Sequence, residues 1–148
     1  MTRLRIEKLT ELPTADLQPL LEESQKQGHE LVTRLIEEYE SGQNRFDAPG
    51  EALFGVYAGR DLIAIGGLNQ DPYLPDGQTG RVRHVYVLAD WRGRGVGRLL
   101  VDRIITEAHE HFQRLTLRTF SDRGDRFFRS LGFEAGSPLP GASHHMEF

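Results

Sequence analysis

The chain has 148 residues, of which 38% are hydrophobic and 27% charged, with no cysteine and a formal net charge of −4. That length suits a single domain, residues 1–148, with a real core. The absence of cysteine excludes disulfides, thiolate metal sites and cysteine nucleophiles. No apolar run is long enough to span a membrane, and the start, Met1 to Glu7, lacks the pattern of a signal peptide, so a cytoplasmic setting is the simplest expectation. Residues 1–50 hold 6 basic and 10 acidic side chains, while the remainder holds 12 of each. A chain that is acidic overall repels a phosphate backbone, so nucleic acid is not an expected partner, and without a long apolar run neither is a membrane. Arg81, Arg83, Arg92, Arg94 and Arg98 nevertheless crowd one stretch with only Asp90 opposing them. Positive charge that local suits a compact polyanion.

In chain order, Leu4 to Leu9 alternates and predicts a strand. Thr14 or Asp16 is placed to cap a helix over about 16–27, with Leu17, Leu20 and Leu21 on one face and Gly28 as its breaker. Leu31, Val32, Leu35, Ile36 and Tyr39 then keep helical spacing up to Ser41-Gly42. Both helices carry glutamates on their other faces, which reads as a solvated surface or as a rim attracting cationic substrates. Glu51 to Ala58 and Leu62 to Leu68 predict a hairpin about Gly59-Arg60-Asp61. Gly66-Gly67 suggests a bulge or a close backbone approach. Residues 71–77 are too turn-rich for regular structure. Arg81 to Leu88 predicts a strand, followed by a helix to about Phe112 with Gly97, Leu100, Val101, Ile104, Ala108 and Phe112 as its apolar stripe. Arg114 to Thr119 predicts a strand, Asp122 to Leu131 a helix stopped by Gly132, and two short strands close the chain.

Between the strand at 81–88 and the next helix lies Trp91-Arg92-Gly93-Arg94-Gly95-Val96-Gly97-Arg98. Free amides at a helix start, with the dipole behind them, attract anions, and glycines keep side chains out of the way. Three arginines add full charge. The glycine spacing fits neither the dinucleotide fingerprint nor a P-loop. Arg92-Gly93-Arg94-Gly95-Val96-Gly97 does resemble the coenzyme A signature of the GNAT family of N-acetyltransferases: Arg or Gln, two residues, Gly, one residue, Gly or Ala. Further on, Phe127-Phe128-Arg129-Ser130-Leu131-Gly132-Phe133 is similar to that family's aromatic pair and Leu-Gly-Phe ending. The element order matches the family across essentially the whole chain.

The resemblance implies an α/β fold with a mixed, mostly antiparallel sheet flanked by helices, and a splayed parallel pair of strands holding acetyl-CoA. It implies direct transfer of the acetyl group to a primary amine of a small molecule or peptide. Val85, Tyr86 and Val87 would contact the pantetheine through their backbones, and the Val87 amide would polarise the acetyl carbonyl. Arg92, Gly93, Arg94, Gly95, Val96, Gly97 and Arg98 would hold the pyrophosphate, with Ser121 and Phe128 beside the cofactor. Phe128 stands where the family often has a proton-donating tyrosine, and Ser121 where it often has an asparagine. Water, Tyr86 or Ser121 could supply the proton instead, and His84, the helix glutamates or water could remove one from the amine. His109 and His111 are two apart on a helix, and His144 and His145 are adjacent on a strand, so neither pair makes a metal site. Trp91 is expected to pack under the turn. A non-catalytic acyl-CoA-binding or sensing module is the alternative reading, and a homodimer through the last strand is open.

Overall fold

The computed structural model describes residues 3–148. Its elements run β1 (Leu4–Leu9), α1 (Gln18–Lys26), α2 (Leu31–Ser41), β2 (Ala52–Ala58), β3 (Asp61–Gln70) and β4 (Thr79–Val87). A short 3-10 turn (Ala89–Trp91) leads to α3 (Val96–His111), and β5 (Arg114–Leu117), α4 (Asp122–Ser130), β6 (Glu134–Ala135) and β7 (His144–Glu147) follow. The seven strands form one sheet in the order β1-β2-β3-β4-β5-β7-β6. Every neighbouring pair is antiparallel except β4–β5.

The near-continuous apolar runs of β2 and β3 are explained by burial on both faces. One face packs on α3 and α4 through Phe54, Val56, Leu68, Leu100, Ile104 and Leu115. The other carries α1 and α2 through Leu17, Leu20, Val32, Leu35, Leu53 and Ile65. On α3 the expected stripe is buried from Leu100 onward, while its first member, Gly97, is half-buried and Val96 is seated on the core instead. The N-terminus of α1 differs from expectation. Leu17 holds the cap position and no side chain caps the helix. Asp16 instead accepts a hydrogen bond from the Tyr57 hydroxyl at 3.1 Å. Burial, with that bond, pushes the Tyr57 hydroxyl up to about 12.

Gly66-Gly67 does both things foreseen for it. The β3–β4 register shifts there, between Ile65 and Gly67. A Cβ on Gly67 would lie 2.4 Å from the Phe46 ring, and one on Gly66 would press on Leu100 and Ile104 of α3. The two glycines thus let both helical layers close on the sheet beside the bulge. Opposite, His84 takes φ +59°, a left-handed backbone rare for a residue with a side chain.

Candidate active site

The parallel pair β4–β5 is short. It holds Thr79 to Arg114, Gly80 to Leu115 and Arg81 to Thr116, and then stops. β4 continues to Val87, while β5 ends at Leu117. The contact lies at the start of β4 and meets the 81–88 segment expected from sequence only at Arg81, so most of that segment borders a gap. Leu88 N–H donates to Ile63 O at 2.9 Å. Successive amides of a strand point to opposite sides, so Val87 N–H points away from β3 and into the gap. The Val87 carbonyl, on the same side, accepts Arg92 Nε at 2.9 Å.

The glycine turn follows directly. Gly93 and Gly95 have φ +74° and +83°, and nothing lies within 4 Å of a Cβ built on either. Glycine is needed here for conformation, and the side it leaves bare is open. Leu99 N–H makes the first helical bond of α3, to Gly95 O at 3.0 Å. The backbone amides of residues 93–98 have no acceptor among the described residues. A run of unbonded amides at the positive end of a 16-residue helix has the chemistry to receive an anion. Gly97 has a different reason: a Cβ there would meet Phe127 of α4 at 3.2 Å.

The arginines divide. Arg94 lies over the Trp91 ring at 5.0 Å, and Trp91 itself packs against the core, as expected of it. Arg98 donates to Ser130 Oγ at 3.3 Å. Arg92 is committed inward, to Val87 O and toward Glu23 Oε1, 3.6 Å away on α1. Ser121 caps α4, accepting Gly124 N–H at 2.9 Å. Phe128 is half-buried, edge-on to Phe127 and Phe133.

The titratable groups by the gap come from α1, α2 and β4. Tyr86 donates to Glu23 Oε1 at 2.6 Å, and the same oxygen accepts Ala89 N–H at 2.9 Å. Burial, with that bond, pushes the Tyr86 hydroxyl up to about 12, which removes it as a ready acid. His84 is buried; its Nε2 has no hydrogen-bond partner among the described residues and lies 3.6 Å from Glu38 Oε1. Burial, helped by the Arg83 charge, lowers the His84 imidazole to about 4 despite Glu38. Sequence reasoning treated the glutamates of α1 and α2 alike, yet only Glu23 and Glu38 reach β4. Each follows a buried leucine, Leu20 and Leu35, by three residues, so helical period alone could have singled them out. Away from the gap, Glu107, Glu110 and His111 bring ligand atoms within 4.8 Å of one another. Glu107 is already bonded to Lys8 Nζ at 2.7 Å and Arg103 Nη1 at 3.0 Å.

A splayed parallel pair, an amide facing the gap and an anion-binding helix start are one connected arrangement. The sequence profile of the acetyltransferase (GNAT) family matches residues 14–133. The chain belongs to the GNAT family. Among solved structures, a protein of Exiguobacterium sp. 255-15 named as a candidate acetyltransferase is 31% identical, with TM-score 0.85, 98% of this chain covered and 93% of that one. An acetyltransferase of Thermus thermophilus shares the GNAT fold at 17% identity, with TM-score 0.73 and both chains covered completely. The glucosamine-6-phosphate N-acetyltransferase of Arabidopsis thaliana shares it at 18% identity, with TM-score 0.62 and coverage of 91% and 94%. Acetyl transfer is accordingly this GNAT chain's general activity. Among the described residues no helix is long and apolar enough to cross a membrane.

Proposed function

We propose that the chain moves an acetyl group from acetyl-CoA directly to an amine, with no acyl-enzyme intermediate. The observation that carries this reading is the run of unbonded amides at residues 93–98, set next to a β4 edge that β5 leaves unpaired. The amides bind the pyrophosphate, and the β4 edge bonds the pantetheine as a strand would. Val87 N–H polarises the thioester carbonyl as the amine attacks. The C–S bond then breaks, and the thiolate leaves with the electron pair.

Neither Phe128 nor Tyr86 offers the leaving thiolate a free proton: Phe128 has none, and that of Tyr86 is held by Glu23. A thiol of pKa about 8.5 departs tolerably without one. The amine's proton is taken on the α2 side. His84 is neutral above about pH 4 and so stays in its accepting form across the neutral range. Glu38 Oε1, 3.6 Å from Nε2, steadies the imidazolium that forms.

Calorimetry with acetyl-CoA, together with thiol release in the presence of an amine panel, tests the reading. Micromolar binding and amine-dependent release are expected. Tight binding with release no faster than hydrolysis would instead favour the acyl-CoA-binding module. His84→Asn tolerates a left-handed backbone but lacks the imidazole. It should lower kcat by roughly 10²-fold, within the usual worth of general base catalysis, while leaving acetyl-CoA affinity intact.

A further inference from the structure

The two faces of the gap between β4 and β5 differ. On the α3 face the gap is closed by Val85, Val87, Leu117, Phe127 and Phe128, all in one apolar cluster. On the α2 face, strand alternation brings out Arg81 and Arg83 from β4 and Thr116 from β5, with the exposed Arg118 one residue past the end of β5. Arg83 Nη2 lies 3.6 Å from Glu38 of α2, which fixes the side these residues occupy.

This lining is under-compensated. The Arg81 side chain is 9% exposed; its Nη2 donates to Gly141 O at 2.9 Å, while Nη1 has no hydrogen-bond acceptor among the described residues and stands 3.8 Å from Asp71 Oδ2. Asp71 is already used, accepting the Thr116 hydroxyl at 2.6 Å and the Tyr73 amide at 2.7 Å. Glu38 divides one oxygen between Arg83 and His84, both at 3.6 Å. Arg118 meets no carboxylate among the described residues. Its guanidinium rests 4.7 Å over the ring of Phe120, which is 84% exposed. Three guanidiniums therefore face two carboxylates. Burial lowers the Arg81 pKa, and the charges of Arg83 and Arg118 lower it further against the pull of Asp71, so the three cations sit close enough to feel one another. Such a local excess of positive charge attracts anions. The acidic residues expected to draw cations do not offset it: Glu22, Glu30, Glu37 and Glu40 lie on the outer faces of α1 and α2.

We infer that the acceptor amine also carries an anionic group, a carboxylate or a phosphate, held by the guanidiniums of Arg83 and Arg118 at the α2-side mouth of the gap. This rests on the acetyltransferase reading and adds the acceptor's class. The planar fork of arginine suits either anion; Arg83 stands on β4 and Arg118 on the segment that leaves β5.

Paired probes test it: 4-aminobutyrate against butylamine, O-phosphoethanolamine against ethanolamine, and spermidine as the cation. Thiol release gives kcat/KM, and calorimetry on the coenzyme A-bound protein gives affinity without turnover. At least one probe bearing the acidic group should exceed its partner lacking that group by about tenfold or more, as a charge-assisted hydrogen bond provides. Which pair shows the gap distinguishes carboxylate from phosphate. Arg118→Gln and Arg83→Gln should bring that ratio toward one through KM, whereas Arg60→Gln, on the distant β2–β3 turn, should not. Neutral amines or spermidine bound or used as well as the anions would overturn the inference, and so would a preference that survives both substitutions. Anion preference in binding with no thiol release from any probe would uphold the inference and defeat the enzymatic reading.

Discussion

His84 carries two costs at once, a left-handed backbone and a buried nitrogen with no hydrogen-bond partner among the described residues. Such features persist where surrounding structure over-determines them, and they concentrate at working sites. The cost has a measurable signature in pH. An imidazole of ordinary pKa 6.5 stands at about 4 in the fold because burial penalises its charge. Between those values the unfolded chain binds a proton that the native state refuses, so stability falls as pH drops from about 6.5 to about 4 and levels off below. The loss is of order 1–3 kcal/mol. Urea midpoints should decline across that window for the parent chain and much less for His84→Asn. Equal slopes in the two proteins would mean that the imidazole is not held neutral. None of this was visible in sequence, where a histidine on a strand is one of many. The bulge that turns it arises from Gly66 across the ladder and from Phe46, nearly forty residues away in the chain.

At the scale of elements, the glycine turn was the most legible part of the chain, because conformation and chemistry both demand glycine there and leave a spacing behind. Its three glycines nonetheless act differently. Gly93 and Gly95 shape the anion cradle, while Gly97 makes room for Phe127, so α3 and α4 pack closely at the mouth of the site. Gly95→Ala forces a side chain into φ +83°, at about 1–2 kcal/mol, or else reorients the amides. It should weaken acetyl-CoA binding roughly tenfold or more by calorimetry. Ser121, expected beside the cofactor, shows the opposite case: the structure gives it a helix-capping bond. The position begins α4, and a serine before Asp122 and Gly124 is an N-cap in its own right. Ser121→Ala should cost about 1 kcal/mol in thermal unfolding. Ser121→Asp should restore it, and the KM for acetyl-CoA should hold in both. A raised KM that Asp fails to rescue would give Ser121 a contact with the cofactor instead. The extent of β4–β5 pairing was likewise hidden, since how far two parallel strands stay together depends on what is packed on either face.

Across the whole molecule, the sheet separates two apolar layers, and α3 is the member that joins the anion cradle to the far edge of the fold. At its C-terminal half the helix places a charged residue on its buried side. Glu107 is bonded to Lys8 of β1 and to Arg103, and lies 3.4 Å from His111. Burial alone would raise its carboxyl pKa, but the bonds from Lys8 and Arg103 prevail and hold it below the usual carboxylate range. The stabilisation is therefore present above the ordinary glutamate pKa and is lost as pH falls through the depressed folded value. Lys8 and Arg103 remain partly solvated when the carboxylate is removed, which keeps the loss modest. Glu107→Gln should destabilise the chain by about 1–3 kcal/mol at neutral pH. The difference from the parent should close on acidification, because both proteins are then neutral at this position. Glu107 stands about 16 Å along the helix from Val96, at about 1.5 Å per residue, so the cradle keeps its shape. Acetyl-CoA affinity measured below the unfolding transition should match the parent. A Glu107→Gln protein that bound acetyl-CoA more weakly would show that β1, through Lys8, sets the position of α3 over the gap, and that the two ends of the helix are mechanically coupled.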